Sequence, residues 1–185
     1  MMKGIDVAKW NGVIDWAKVK KAGVEFAVLK VIDKSNKTES SFVRNYAGAS
    51  AQGLPLDVYN YLYTTTEAAA MEAAKAVVNA LAGRKIGKVW ADAEDACLKN
   101  KGIQLIRILN TYKAVIEAAG YEFGVYTGLS FYNSYIKPYK AYIDCDFWIA
   151  RYPSTKDMTI AMDPSASKKP VICHNLWGWQ HSSRG

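Results

Sequence analysis

Cysteine and histidine are scarce in this chain. Its three cysteines, Cys97, Cys145 and Cys173, form no CxxC pair and are odd in number, which argues against a disulfide framework and for buried or idle thiols. The two histidines, His174 and His181, do not stand in HExxH-like spacing, so a histidine-built zinc site has no sequence support. No segment approaches the roughly 18 consecutive apolar residues of a membrane span, and the opening MMKGIDVAKW holds no apolar run of signal-peptide length. A soluble product, made in the cytoplasm without a signal peptide and not inserted into a membrane, is expected. No GxGxxG or GxxxxGK[ST] follows any strand-like run, which leaves a nucleotide-binding reading without its phosphate loop.

What is present is enough for one sizeable core. At 185 residues and 50% hydrophobic, the chain fits a single domain over residues 1–185. The formal charge of +7 arises from 24 Lys and Arg against 17 Asp and Glu, and the positive residues are scattered. A spread positive field favours anionic partners, whether nucleic acid, membrane surface or cell-wall polymer. No basic helix with interleaved aromatics is present, so nucleic acid is disfavoured as a partner.

One phrase recurs along the chain: an amphipathic helix ends near Ala, stops at Gly and gives way to a β-rich run. It reads VKKAG then VEFAVLKVI, GASAQG then LPLDVYNYLY, NALAG then, past RKIG, KVWADAE, and VIEAAG then YEFGVYTG. Glycine takes the left-handed conformation that ends a helix, and β-branched and aromatic residues suit a buried strand. Asp15 and the Thr64 to Thr66 cluster stand where N-caps belong. From KGIDVA to Thr127 this spells β-α-β-α-β-α-β-α-β, with strands apolar on both faces, as parallel strands covered by helices are. After residue 128 the rhythm degrades: LSFYNSYI reads as a short helix, DFWIARY and NLWGWQH as strands, and the polar segment between them as too broken for a crossover helix. A doubly wound open sheet also fits the first five strands; an α/β barrel is preferred.

Charge collects at one strand end. In VWADAEDA, Asp92 and Glu94 are two apart and share a face at the end of the fourth strand, while Asp95 points into the following loop. In an α/β barrel the site lies at the C-terminal ends of the strands, where this pair falls. Asp6, in the first strand, is within reach of the same face once the barrel curls. Carboxylates gathered in this way disfavour each other's ionisation, so one keeps its proton near neutrality, as a general acid must. Two acids around one sugar oxygen is the basic arrangement for cleaving a glycosidic bond. Two other readings stay open here: helix-capping or surface-paired acids, and an all-carboxylate Mg²⁺ or Ca²⁺ site. Aromatics supply the second clue, since Tyr59, Tyr61 and Tyr63 alternate, Tyr126 ends the fifth strand, Trp148 lies in the sixth, and Trp177 and Trp179 sit near the last. Flat rings with polar edges suit sugars.

Taken in order and spacing, GIDVAKWNGVIDW, YNYLY, WADAED, GVYTG, FWIARY and LWGWQHSS resemble the family 25 glycoside hydrolases, the Chalaropsis-type N-acetylmuramidases of bacteria and phage endolysins. The resemblance covers essentially the whole chain. It implies a modified TIM-like barrel of the (β/α)5(β)3 kind and hydrolysis of the β-1,4 bond between N-acetylmuramic acid and N-acetylglucosamine in bacterial peptidoglycan, with no cofactor and no metal, by a monomer acting on the cell wall. Position by position, Glu94 matches the general acid, Asp92 the carboxylate two residues before it, and Asp6 the acid of the first strand. Lys30 matches a basic residue of the second strand, and Tyr61, Tyr126, Trp148 and Gln180 fall where the sugar groove is lined. Asn60 stands where many members carry His. Members usually continue beyond the WQxSS motif with a Gly-rich turn and a final Asp-bearing strand, whereas this sequence ends at HSSRG; the C-terminal strand is expected to be missing, leaving an exposed edge and, as the rival to turnover, a peptidoglycan-binding protein that no longer cleaves.

Overall fold

The computed structural model describes residues 2–153 and 158–183. Part of the polar segment before the last strand, residues 154–157, and the final residues 184–185 lie outside the described residues. Among the described residues seven strands form one sheet, all parallel and in sequence order: β1 Gly4–Val7, β2 Phe26–Lys30, β3 Leu56–Tyr61, β4 Lys88–Asp92, β5 Glu122–Gly128, β6 Asp146–Ala150 and β7 Leu176–Gln180. Helices α1 Trp16–Lys21, α2 Phe42–Ala51, α3 Glu67–Leu81 and α4 Ile103–Ala118 follow the first four strands. A compound helical segment follows β5, passing from an α turn at Leu129–Phe131 through a π turn at Tyr132–Ile136 to a 3₁₀ stretch at Lys137–Tyr142. Between β6 and β7 the described residues hold only a 3₁₀ turn, Ala166–Lys168. The sheet curls into an open, TIM-like barrel: five β/α units and then an irregular end. No helix among the described residues is long and apolar enough to cross a membrane.

The recurring glycines act as helix stops. Gly23, Gly53, Gly83 and Gly120 all take positive φ, at 95°, 65°, 72° and 84°, where a side chain is strained. Two starts are capped as the sequence suggests, Asp15 accepting from the Lys18 N–H and Thr66 from the Ala69 N–H.

Strand alternation divides the interior into two cores. The outward faces of the strands, with Ala27, Leu29, Val58, Val89, Ala91, Val125 and Ile149, pack under the helices and are fully buried. Small Ala70, Ala73 and Ala74 on α3 let it lie close to its neighbours. Each large apolar side chain buried here contributes about 1.5–3 kcal/mol. The inward faces build a second cluster from Val28, Trp90, Tyr126, Trp148 and Ala150, with Phe26 and Tyr59 packed on it. Glycines in the strands make room for its indoles. A Cβ on Gly124 would meet the Trp90 ring at 2.3 Å, and one on Gly178 would lie 3.1 Å from Trp148.

One expectation needs correction. The strands are not apolar on both faces, because charged residues at their N-terminal ends form an ionic floor. The buried Lys88 ammonium donates to Glu122 and Asp146, both at 2.8 Å, while Asp57 accepts from the Lys88 backbone N–H and the Trp90 indole N–H, both at 2.9 Å. A barrel mouth that still meets water tolerates charge provided each buried group is paired.

The sheet ends at β1 and β7. Side chains join the two ends: Gln180 Nε2 donates to Asp6 Oδ2 at 2.8 Å, the Phe26 and Trp177 rings meet edge to face at 5.7 Å, and Lys3 pairs with Asp163 at 3.0 Å.

Candidate active site

Backbone hydrogen bonds fix the end of β4 from both sides. The Leu62 N–H donates to the Asp92 carbonyl at 2.9 Å and the Ala93 N–H to the Tyr126 carbonyl at 2.8 Å. The Thr127 hydroxyl, wholly buried, donates to the Ala93 carbonyl at 2.7 Å. These clamps hold Asp92 and Glu94 on rigid strand ends, as a reacting group needs. Register places Asp92 between Tyr61 of β3 and Tyr126 of β5.

Asp92 is 5% exposed, and its Oδ1 is covered with no hydrogen-bond partner. Burial raises its pKa well above the ordinary carboxylate value; Glu94 adds to the rise, Lys30 opposes it, and Asp6 and Asp95 add to it again. Asp92 therefore feels both Glu94 and Asp6, and a first strand comes within reach of a fourth only because the sheet curls. Burial also raises Asp6, tempered by the hydrogen bond from Gln180. Glu94 is half-buried, and desolvation raises its pKa. Asp95, by contrast, turns into the loop: its carboxylate accepts from the Cys97 N–H at 2.9 Å and the Tyr61 hydroxyl at 3.2 Å. The backbone bond first of all holds its pKa below the usual range.

Around the acids stands a ring of hydroxyl and amide groups. Gln180 Oε1 accepts from the Tyr126 and Tyr152 hydroxyls, each at 2.6 Å. With its oxygen so engaged, the amide has only its NH₂ to offer Asp6. Burial raises the pKa of Tyr126, Tyr152 and Tyr61, which keeps these hydroxyls protonated as donors. The Lys30 ammonium lies 5.8 Å from the ring centroids of both Tyr59 and Tyr61, a cation held over aromatic faces beside Asp92.

Among the residues singled out in the sequence, the structure gathers Asp6, Lys30, Tyr61, Asp92, Glu94, Tyr126 and Gln180 at the C-terminal mouth of the barrel. Trp148 sits deeper. It is 8% exposed, its ring against Tyr126 at 4.6 Å and Trp90 at 5.8 Å, so it supports the site from below. Asn60 faces the helices, its amide 3.3 Å from the Tyr112 hydroxyl. Tyr152 and Thr127 were not singled out in the sequence. The signal for Tyr152 was its place just past β6 in FWIARY, among aromatics at strand ends; a clamp such as Thr127 leaves no sequence trace. Among the described residues no group of three His, Cys, Asp or Glu side chains is placed to hold a metal ion.

Comparison with known proteins adds a family. The model of the family described as Glycosyl hydrolases family 25 matches residues 5–185. An autolytic lysozyme of Clostridium acetobutylicum is 28% identical over 188 positions, which cover 100% of this chain and 51% of that protein. Lysozyme M1 of Streptomyces globisporus is 37% identical over 60 residues, 32% of this chain and 20% of that one. The chain thus spans about half the length of the first relative and a smaller share of the second is matched. Among solved structures, the catalytic domain of endolysin ply40 from bacteriophage P40 of Listeria monocytogenes superposes with a TM-score of 0.75 at 23% identity, covering 100% of this chain and 86% of that one. The spore cortex lytic enzyme SleM of Clostridium perfringens gives a TM-score of 0.78 at 18% identity, covering 100% and 62%. At such identities these structures speak for the fold.

Proposed function

The chain belongs to glycosyl hydrolases family 25, and from that premise we propose that it is a lysozyme, an N-acetylmuramidase that hydrolyses the β-1,4 bond between N-acetylmuramic acid and N-acetylglucosamine in bacterial peptidoglycan. The observation that carries this reading is the set of desolvated carboxyls, Asp6, Asp92 and Glu94, at one barrel mouth. The names of the relatives, lysozyme and autolytic lysozyme among them, point to the same bond class.

Glu94 is the general acid. It is the more exposed of the two β4-end acids, and desolvation raises its pKa, the direction a general acid needs. It protonates the leaving glycosidic oxygen as the bond to the anomeric carbon breaks. Asp92 accepts the N–H of the 2-acetamido group and so turns its carbonyl oxygen toward the anomeric carbon. That oxygen forms the new bond, giving a cyclic oxazolinium ion. Glu94, now ionised, takes a proton from water as the water opens the ring, which restores the acid. Asp6, fixed by Gln180, orients Asp92 and substrate; Lys30, Tyr61 and Tyr126 line the sugar groove.

The deciding experiment measures new reducing ends released from purified peptidoglycan. The wild-type chain is expected to release them, and Glu94→Gln to lower the rate by about 10²–10⁴ with an unchanged circular dichroism spectrum. A chain that sediments with cell walls and releases none is a binding protein, and an equally active Glu94→Gln removes Glu94 from the chemistry.

A further inference from the structure

Beside the acidic site lies a recess of about 350 Å³ between the loops that follow β2 and β3 and the first turns of α3. Its size falls within the range of about 300–1,000 Å³ usual for ligand pockets. It starts at Tyr61, the register partner of Asp92, and leads past Tyr63 to Ala69 and Glu72 on α3, outward from the barrel axis.

The charges on its wall are unequal. Asp33 is occupied by its own turn, accepting from the N–H groups of Ser35 and Lys37 at 2.8 and 3.1 Å. Glu72 is paired with Lys75 at 2.9 Å. Lys34 makes no ion pair among the described residues; its ammonium stands 4.9 Å from the ring centroid of Tyr63, a side chain 39% exposed. The turn that carries Lys34 is held by the bridge between Ile32 and Thr38 and by Asn36 at φ 58°. The recess therefore presents a cation without an ion pair among the described residues, drawn at longer range to Asp95, on a fixed turn above an aromatic wall. That combination suits a carboxylate joined to a short aliphatic or peptide segment.

We infer that this recess binds the acidic peptide stem of peptidoglycan, with Lys34 as the contact to a stem carboxylate and Tyr63 as the apolar wall. The inference rests on the function proposed above. Muramic acid carries its peptide on the lactyl ether, so a glycan laid over Asp92 and Glu94 sends that peptide sideways from the sugar, and the recess opens one strand away. A glycan without peptide has nothing to place there, so the recess selects peptide-bearing strands.

The test compares two substrates, intact peptidoglycan strands and the same strands stripped of peptide by an amidase, for wild type, Lys34→Met and Lys34→Arg. Lys34→Met is expected to raise KM on the peptide-bearing substrate by about five- to tenfold with kcat within about twofold. On stripped strands it leaves KM unchanged, and Lys34→Arg restores the wild-type value on both. An equal rise in KM on both substrates, or none on either, overturns the inference. Titration of the free stem peptide into the full chain, followed by the Tyr63 resonances, reads the recess without turnover. Saturable shifts that Lys34→Met abolishes support the inference, and their absence overturns it. If the wild type releases no reducing ends at all, the proposed function fails while this titration still decides on the recess.

Discussion

Gln180 donates a 2.8 Å hydrogen bond to Asp6 across 174 residues of sequence, joining the two ends of the sheet at the mouth of the site. The same amide accepts two tyrosine hydroxyls at 2.6 Å, from Tyr126 and Tyr152. One side chain thus serves the fold and the site together: it clasps β7 to β1 and dictates that Asp6 is met by a donor.

Gln180→Leu leaves Asp6 and two phenol hydroxyls short of a partner. Unmet polar groups in a covered site cost about 1–3 kcal/mol each, and the partly exposed Tyr152 recovers its share from water. A loss of about 2 kcal/mol in urea unfolding is expected, together with a fall in kcat, since Asp6 no longer has a fixed position. Unchanged stability and unchanged turnover would show that the seam is held elsewhere.

Asp92 destabilises the fold at neutral pH. Its folded pKa is raised above the ordinary value of 3.8, so between those two values the native state binds more protons than the unfolded chain, and stability falls as pH rises. The penalty is absent below pH 3.8 and complete above the raised pKa. Asp92→Asn is therefore expected to be more stable than wild type at pH 8, the difference shrinking toward zero as the pH approaches 4, while reducing-end release collapses. Melting temperatures of both proteins across that range check the sign; a constant difference would mean that ionisation of Asp92 is not the cause.

The legible part of this molecule was periodic or local. Helix stops at Gly23, Gly53, Gly83 and Gly120, the caps at Asp15 and Thr66 and the order of strands all follow from short patterns that neighbours along the chain decide. Asp92 and Glu94 were legible because they stand two apart at the end of a strand-like run, where strand alternation carried past its end puts them on one face. Convergence of Asp6 on them required the family resemblance or the curl of the sheet. What stayed hidden depends on contacts between distant strands: the Gln180 clasp, the partnership of Tyr152, and the charged floor, where Lys88 meets Glu122 from β5 and Asp146 from β6. Trp148 shows the limit from the other side. Its sequence position matched a strand end, yet the register with Tyr126 and the space left by Gly178 place its indole inside the barrel.

That floor makes a prediction about stability alone. The Lys88 side chain is 8% exposed, and its partner Asp146 is 26% exposed, so the pair is largely removed from solvent, whereas Glu122 at 74% remains in water. Lys88→Met keeps the buried stem but leaves Asp146 without its cation. Breaking a buried pair by removing one partner costs about 3–5 kcal/mol, and the exposed Glu122 places this case at the lower end. Denaturant unfolding should report a loss of about 3 kcal/mol, with KM and kcat of the folded protein unaltered because the floor lies at the opposite end of the strands from Asp92. A change in KM without a change in stability would contradict this separation.

The stereochemistry of the first product tests the role given to Asp92. If the acetamido oxygen of the sugar attacks the anomeric carbon, water enters from the face the leaving group vacated, and the configuration is retained. If a carboxylate activates water directly, the product is inverted, because that water attacks from the opposite face. The place of Asp92 at the end of β4 beside Glu94 favours the first route: a carboxylate there accepts the acetamide N–H, and that hydrogen bond offsets part of the rise that burial gives its pKa. Proton NMR of a soluble muropeptide oligomer, recorded within the first minutes of reaction, is expected to show the β-anomer of the new reducing end before mutarotation. A substrate lacking the 2-acetamido group should then be cleaved at least about 10²-fold more slowly, since the oriented internal nucleophile supplies that much or more. An α-anomer as the first product would transfer Asp92 from orienting the acetamide to activating water.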